Sequence, residues 1–252
     1  MGSIVAMSVR DVCPACGSRQ FKKNGHTHNG KQNHQCQACP RQFVTEATER
    51  SITPGQRTLI ERLLCERISL RGICRAVGVS LPWLMHFMVE RFAACPEHLH
   101  AQLPKGPAHV VIHQLEAEAD EIWTFVQKKA HRQWIWIAMD AATRQIIAFH
   151  VGDRSRDSAN ELWAKIPGVY REQAIFHTDQ YEPYKSVIPA DRHKAITKKA
   201  RKTNHIERFN NTLRQRVSRL VRETLSFSKK LVNHIGAIKY FICHYNLTKV
   251  AA

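Results

Sequence analysis

Residues 134–139 read Trp-Ile-Trp-Ile-Ala-Met and residues 146–151 read Ile-Ile-Ala-Phe-His-Val, and these two runs decide the fold class. Both are rich in β-branched and aromatic residues, and a short polar segment separates them. This pattern predicts two consecutive strands joined by a turn. Residues 115–126, in which acidic and small residues alternate before an aromatic run, predict a third strand just ahead of them.

The segments that follow have the order of a mixed domain. Residues 158–165 predict a helix that ends at Pro167-Gly168, and residues 174–179 predict another strand. Two further helices are predicted over 204–221 and 228–245. Three strands, a helix, a strand and then helices predict a mixed α/β domain.

The composition excludes several classes of protein. The chain has 252 residues, and 43% of them are hydrophobic, which excludes a disordered chain. Lys and Arg number 38 against 21 Asp and Glu, and the formal net charge of +17 favours polyanionic partners, nucleic acid first. No run reaches the ~18 apolar residues of a membrane span, and no secretory signal opens the chain. We therefore expect a cytoplasmic protein without a membrane partner.

Four of the eight cysteines form two Cys-x-x-Cys pairs, which suggest a metal site. Each pair can bind one ion from a tight turn, and their separation suits a structural zinc site with four thiolate ligands. The segment has too few apolar residues to fold without the ion. A redox dithiol or a chance spacing is the alternative, and His34 is the residue best placed to replace a cysteine. The predicted zinc ligands are Cys13, Cys16, Cys36 and Cys39.

Two Asn-Gly pairs between the cysteine pairs, Asn24-Gly25 and Asn29-Gly30, are hairpin signals. Hairpins between two cysteine pairs are what a small zinc ribbon needs. We therefore predict a zinc ribbon over residues 1–50.

Residues 51–95 have the pattern of short helices joined by a glycine-bearing turn. Ser69 is the predicted N-cap of a helix over 70–77, and Ser80 that of a helix over 81–92, with Gly78 in the turn between them. A helix-turn-helix unit fits this pattern, and a plain three-helix packing unit is the alternative. The predicted DNA contacts of this segment are Arg67, Arg71, Arg75 and His86.

Acidic residues recur on the predicted strands and on one basic helix. Asp120 lies on the first strand, Asp179 ends the strand over 174–179, and Glu207 is the one acid between Lys194 and Arg222. Alternation along the first strand places Glu121 on the opposite face from Asp120. Carboxylates from two strands and a helix can hold two divalent cations for in-line phosphoryl transfer. Glu118 and Glu121 are the nearest substitutes for Asp120.

The same region supplies basic residues for phosphate contacts. Ten Lys and Arg residues lie between Lys194 and Arg222. We predict DNA contacts from Lys198, Lys199, Arg201, Lys202 and Arg208.

Several of these stretches resemble the transposases of the insertion-sequence-one family. They are Ala119-Asp-Glu-Ile-Trp123, His177-Thr-Asp179, Asn204-His-Ile-Glu-Arg-Phe-Asn210 and Leu225-Ser-Phe-Ser-Lys229, preceded by the cysteine pairs and the helix-turn-helix pattern. The resemblance covers residues 13–245. It implies a ribonuclease-H-like DDE catalytic domain, with Asp120, Asp179 and Glu207 as the catalytic triad that holds two Mg²⁺ or Mn²⁺ ions. It also implies that Arg214 contacts DNA.

The resemblance leads to a division of the chain and a predicted activity. We expect a zinc ribbon over 1–50, a helix-turn-helix over 51–95, a linker over 96–114 and the DDE domain over 115–252. The predicted activity is metal-dependent cleavage of double-stranded DNA at the inverted repeats of an insertion sequence, followed by strand transfer from the 3′ end. A homo-oligomer associated with the nucleoid is expected to act on element ends and target.

Two alternatives to this activity remain at this stage. One is a zinc-dependent DNA-binding regulator whose α/β domain only dimerises. The other is a nuclease of the same fold that does not transfer strands.

Overall fold

The computed structural model describes residues 7–9, 11–27, 30–48, 52–103, 116–128, 130–196, 204–220 and 228–250. The chain divides into two units, Met1–Arg57 and Thr58–Ala252. Among the described residues, no single helix is long and apolar enough to cross a membrane, although one bent pair, Leu70–Val77 with Leu81–Ala93, passes on length and composition alone.

The first unit contains two small antiparallel sheets. Its core consists of Cys13, Cys36 and Phe43, with Phe21 packed against them. So few apolar side chains bury little surface, as expected of a module that a metal holds together. One sheet pairs β1 (Met7–Val9) with β5 (Glu46–Thr48), and the other has the order β2 (Phe21–His26), β3 (Gln32–Cys36) and β4 (Gln42–Val44).

The hairpin between β2 and β3 differs in part from the prediction. The chain reverses between Thr27 and Lys31, and Gly30 there has a left-handed φ of 78°. Asn24-Gly25 lies instead inside β2, where the register shifts between Lys23 and His26. The prediction of a hairpin at Asn24-Gly25 is therefore wrong, because the left-handed Gly25 serves a bulge rather than a turn. Asn29 lies outside the described residues.

Three helices lead into the second unit, and two of them begin at the predicted caps. The Ser69 hydroxyl accepts a hydrogen bond from Gly72 N–H, and the Ser80 hydroxyl accepts one from Trp83 N–H. Gly78 ends the second helix with a left-handed φ of 76°. The helices are α1 (Pro54–Leu63), α2 (Leu70–Val77) and α3 (Leu81–Ala93), and α2 and α3 meet at 111°.

A five-stranded mixed sheet forms the centre of the second unit. Its order is β10-β9-β6-β7-β8. The three predicted strands form an antiparallel meander, and β9 and β10 add to it in parallel. The mixed α/β prediction is confirmed. The strands are β6 (Glu116–Phe125), β7 (Arg132–Asp140), β8 (Ile146–Gly152), β9 (Ile175–Thr178) and β10 (His193–Ala195).

Helices cover both faces of this sheet because alternate strand residues are apolar on each face. On one face Ile135 and Ile137 pack with helices α7 and α8. On the other face Trp136 and Ala138 pack with helices α4 to α6. The helices are α4 (Arg156–Lys165), α5 (Gly168–Gln173), α6 (Glu182–Val187), α7 (Asn204–Arg216) and α8 (Leu231–Val250).

Helix α8 is held at two places. The buried Asn246 amide accepts from Ile146 N–H at 2.8 Å and donates to the carbonyls of Ile146 and Leu99, which joins the helix to the edge strand β8. At Gly236 an added Cβ would lie 2.7 Å from the Phe92 ring, so only glycine allows α3 to pack this closely. The helical segment and the sheet therefore share the second unit. The four-part division of the chain stays a prediction, and most of the predicted linker lies outside the described residues.

A buried carboxylate fixes where α7 begins. Glu118 on β6 is 2% exposed, and its Oε2 accepts a hydrogen bond from Ile206 N–H at 2.9 Å. The N–H groups of a helix's first turn have no partner within the helix, and the helix dipole favours an anion beside them. Glu118 therefore caps α7 from the sheet and sets its position along β6.

Removing this cap should destabilise the second unit. We expect Glu118→Ala to lower the free energy of unfolding by about 1–3 kcal/mol, since it leaves buried N–H groups without an acceptor. Glu118→Gln keeps an acceptor oxygen and should lose less. Urea denaturation of both variants and the wild type tests this, and equal stability of all three would contradict it.

The stability of the second unit should also depend on His234. Burial, with the charge of Arg219, lowers the pKa of His234 from 6.5 to about 4. The folded protein therefore keeps this ring neutral. The free energy of unfolding that this neutral ring contributes is fully present above pH 6.5 and decreases, by up to about 3 kcal/mol, as the pH falls toward 4. We expect His234→Gln to flatten the pH dependence of the unfolding free energy between pH 7 and 4.5. Parallel curves for the variant and wild type would contradict this.

Candidate functional site

Three carboxylates meet where β6 passes the end of β9. One oxygen each of Asp120, Glu121 and Asp179 lies within 4.8 Å of the others. The parallel pairing of Glu118 with His177 brings Asp120, two residues further along β6, level with Asp179, directly after β9. The topology of the sheet therefore creates this cluster from residues 59 positions apart.

Each member of the cluster is oriented by a neighbour. Asp120 Oδ2 accepts a hydrogen bond from the Asn210 amide at 2.7 Å. Asp179 Oδ1 accepts one from Tyr181 N–H at 2.9 Å. The Glu121 side chain is 2% exposed, and its Oε2 accepts from the Tyr184 hydroxyl at 3.1 Å.

Among the described residues, Arg154 forms an ion pair with this cluster. Its Nε and Nη2 donate to Glu121 Oε1 at 3.1 and 2.8 Å. Its guanidinium lies over the Trp134 and Tyr181 rings, 4.5 and 4.1 Å from their centroids. Cation–π contacts with two rings restrict the orientation of the guanidinium. Arg154 thus offsets one of the three negative charges.

The remaining charge is costly without a further cation. Burial, with the charges of Glu121 and Asp179, raises the pKa of Asp120 to about 7. Burial also raises the pKa of Glu121, although the hydrogen bonds from Arg154 oppose the shift. Oxygen atoms at this spacing, with this mutual repulsion, are suited to a divalent cation.

The predicted third member, Glu207, lies outside this three-carboxylate cluster. It is exposed in the first turn of α7. Burial is the main cause of the raised pKa of Glu118, and the charge of Glu207 adds to it. Asn210, which contacts Asp120, follows Glu207 by three residues, so both lie on one side of α7. The structure thus places Glu207 on the side of α7 that faces the cluster.

Sequence reasoning considered Glu121 only as a substitute for Asp120, whereas the structure places the two carboxylates in one cluster. Alternation on β6 separates its backbone position from that of Asp120, but the long glutamate side chain brings its carboxylate back to Asp120 and Asp179. Nothing in the local pattern indicates Arg154 and Tyr184, because both come from other elements.

The other predicted DNA-contacting residues lie on several surfaces. Arg214 follows Asn210 by four residues on the same side of α7 and is half-buried, whereas Arg208 is exposed on another side. The predicted DNA contacts of the helical segment are all exposed, and they are Arg67, Arg71, Arg75 and His86. The His86 ring lies 3.4 Å from Glu90 Oε1. The predicted contacts Lys198, Lys199, Arg201 and Lys202 lie outside the described residues.

The first unit brings the four predicted zinc ligands together. Their sulfur atoms lie within 4.8 Å of one another, with Cys13–Cys39 at 3.7 Å and Cys16–Cys36 at 3.6 Å. Thiolates about 2.3 Å from a tetrahedral zinc ion lie about 3.8 Å apart, so these residues fit that ion. Gly17, with a φ of 71°, donates its N–H to the Cys13 carbonyl and closes the first turn.

His34 packs beside the cysteine cluster rather than within it. Its ring meets Phe21 edge-on, with centroids 5.2 Å apart, and its side chain is buried. The four cysteines thus come together without the substitute ligand considered from the sequence.

The comparisons with known proteins identify relatives of this chain. A family model described as IS1 transposase matches residues 113–247, which is 135 of the 252 residues. The chain is 35% identical over 128 residues to the insertion element iso-IS1n protein InsB of Shigella dysenteriae, covering 51% of this chain and 94% of that protein. It is 30% identical over 165 residues to the insertion element IS1 9 protein InsB of Escherichia coli strain K12, covering 65% and 93%.

A structural comparison found a much weaker likeness. One chain of a cryo-electron-microscopy structure of the simian T-cell lymphotropic virus intasome, in complex with the PP2A regulatory subunit B56 gamma, gives a TM-score of 0.36. It has 10% identity and covers 72% of this chain and 66% of that chain. Similarity at this level supports no argument about the fold. The family match spans the sheet, the carboxylate cluster, helix α7 and most of helix α8, and the chain belongs to the IS1 transposase family.

Proposed function

We propose that this protein cleaves DNA at the ends of an insertion sequence and transfers the 3′ end to a target duplex. The observation that carries the proposal is the cluster of Asp120, Glu121 and Asp179, whose oxygens lie within 4.8 Å of one another. Membership of the IS1 transposase family and the net charge of +17 support a DNA substrate. The antiparallel meander extended by two parallel strands supports a ribonuclease-H-like domain.

Asp120, Asp179 and Glu207 are the proposed catalytic residues and the proposed ligands of Mg²⁺ or Mn²⁺. When bound, two such ions would activate the attacking oxygen and stabilise the leaving oxygen. Both oxygens of Glu121 already accept hydrogen bonds, from Arg154 and Tyr184. Glu121 is therefore better suited to position Asp120 and Asp179 than to replace Glu207.

The chain's own groups prepare this site for a phosphodiester. Asn210 holds Asp120 Oδ2, and Tyr181 N–H holds Asp179 Oδ1, so the two carboxylates do not have to reorient when a cation binds. Arg214 lies on the same side of α7 as Asn210, which supports the proposal that it contacts a backbone phosphate.

The remaining modules are proposed to bind the element ends. The 111° angle between α2 and α3 suits a helix-turn-helix unit, with Arg67, Arg71, Arg75 and His86 toward DNA. The cysteine cluster supports a structural zinc ribbon. Two ends must be joined in one reaction, which favours a homo-oligomer that works on chromosomal DNA in the cytoplasm, at the nucleoid.

Neutralising one catalytic carboxylate should separate binding from chemistry. We expect Asp179→Asn to slow Mg²⁺-dependent nicking of a labelled duplex carrying the element end by about 10²–10³-fold or more, while the Kd for that duplex is unchanged. Asp157→Asn, an exposed aspartate in the first turn of α4, is the matched control and should cleave normally. Equal loss of binding and cleavage would contradict the catalytic assignment.

The same assay distinguishes Glu207 from Glu121. We expect Glu207→Gln to match Asp179→Asn, Glu121→Gln to slow cleavage by about 10–100-fold, and the control Glu172→Gln to act as wild type. Full activity after neutralising Asp120, Asp179 and Glu207 would favour the DNA-binding regulator. Cleavage without joining of a pre-cut 3′ end to a target would favour the nuclease.

The zinc ribbon is tested through metal content. We expect the purified protein to hold one zinc ion per chain and Cys36→Ser to lose it, together with resistance of the first unit to proteolysis. Cys74→Ser, a half-buried cysteine outside the cluster, should keep the ion. A zinc-free wild type with a disulfide among the four cysteines would favour the redox alternative.

A further inference from the structure

A cationic pocket lies in the second unit, between α7, the end of α8 and the turn that joins β7 to β8. Its volume is about 270 Å³. Four of its described lining residues are positively charged at neutral pH, and none of the described lining residues carries a carboxylate. These cations are Arg144, Arg208, Arg216 and Lys249.

Most of this charge is not offset by an acid. Arg216 Nη2 lies 2.6 Å from Glu66 Oε1. In the part of the chain that the structure describes, no carboxylate lies within ion-pair distance of Arg144, Arg208 or Lys249. Like charges gathered at one concave surface repel one another and raise the local concentration of anions. The pocket is therefore suited to an anionic ligand.

The turn that presents Arg144 is held by hydrogen bonds to Asp140. Asp140 Oδ1 accepts hydrogen bonds from Ala142 and Thr143 N–H at 2.8 and 2.7 Å, and Tyr170 donates to its other oxygen. Arg144 has a φ of 59°, a left-handed conformation in which Gly or Asn is the usual residue. A long cationic side chain at such a position is unexpected for a turn alone and fits a role in binding.

The pocket and the carboxylate cluster lie on opposite sides of α7. An α-helix turns about 100° per residue, so Asn210 and Arg214 point about 140° and 180° away from His205. Asn210 contacts Asp120, and the pocket side is turned away from that contact. The residues of α7 that line the pocket are His205, Arg208, Phe209, Thr212 and Arg216.

We propose that this pocket binds a backbone phosphate of duplex DNA outside the segment held at the carboxylate cluster. Guanidinium groups match phosphate oxygens in pairs, and Arg144 and Arg208 come from different elements, so they can approach one phosphate from two directions. Lys249 adds a point charge. The inference rests on the proposed function only for the identity of the nucleic acid. If both hold, α7 contacts DNA on two sides.

The test measures the affinity of a fluorescent duplex at several salt concentrations, without divalent cations. Because the pocket is proposed to hold one phosphate, we expect Arg144→Asn with Lys249→Gln to weaken binding about 10-fold at 0.1 M salt and to reduce the salt slope by about 1. Asn is chosen because it tolerates the left-handed backbone.

The matched control removes the same two charges elsewhere on the second unit. This control is the double variant Lys128→Gln with Arg132→Gln. Arg132 is the first residue of β7, roughly 27 Å along the strand from Asp140. Both substituted side chains are exposed. Equal weakening by the two double variants would show a general effect of net charge and overturn the proposal, as would no weakening by the pocket variant.

A local readout completes the experiment. We expect the duplex to slow modification of Arg144 and Arg208 by phenylglyoxal, followed by mass spectrometry, and to leave Arg132 unaffected. Equal protection of all three arginines, or of none, would overturn the proposal. Because neither measurement needs cleavage, a wild type that binds DNA but never cuts it refutes the proposed function and leaves this inference standing.

Discussion

The contact between the Glu118 carboxylate and the N-terminus of α7 is the interaction on which the site depends. A buried anion on β6 has few ways to be satisfied in an apolar layer, and the unpaired N–H groups of a helix have the same difficulty. Each satisfies the other, so α7 has one favourable position along the strand. Two residues further along β6, Asp120 then meets Asn210, about one turn beyond Ile206.

That geometry gives α7 two chemically different sides. Toward β6 it presents Asn210 to a carboxylate cluster in which the pKa of Asp120 is raised to about 7. On its opposite side, α7 lines a pocket whose wall includes four cationic side chains. The anionic cluster is suited to cations and the pocket to anions, so a helix of thirteen residues separates two sites of opposite charge. A helix with Glu207 as its one acid suits both tasks.

Much of the fold was predictable because its signals are local. The strands over 134–139 and 146–151, the caps at Ser69 and Ser80 and the two cysteine pairs follow from neighbouring residues. Helix ends were less predictable: α7 ends at Arg216 rather than 221, and α8 runs from Leu231 to Val250 rather than over 228–245. No residue near these ends is a strong stop signal, so tertiary packing decides them.

The site was predictable only where its members follow the sheet topology. Asp120 and Asp179 emerge from adjacent parallel strands, and a strand prediction brings them together. Glu121 was considered only in place of Asp120, because strand alternation places the two residues on opposite faces and the reach of a glutamate side chain is not visible in that pattern. Arg154 was not assigned, because the aromatic pair that contacts it comes from β7 and the segment after β9. The same reason hides the cationic pocket. Its arginines belong to a turn and a helix, and their meeting depends on the pairing of β7 with β6 and on the position at which Glu118 caps α7.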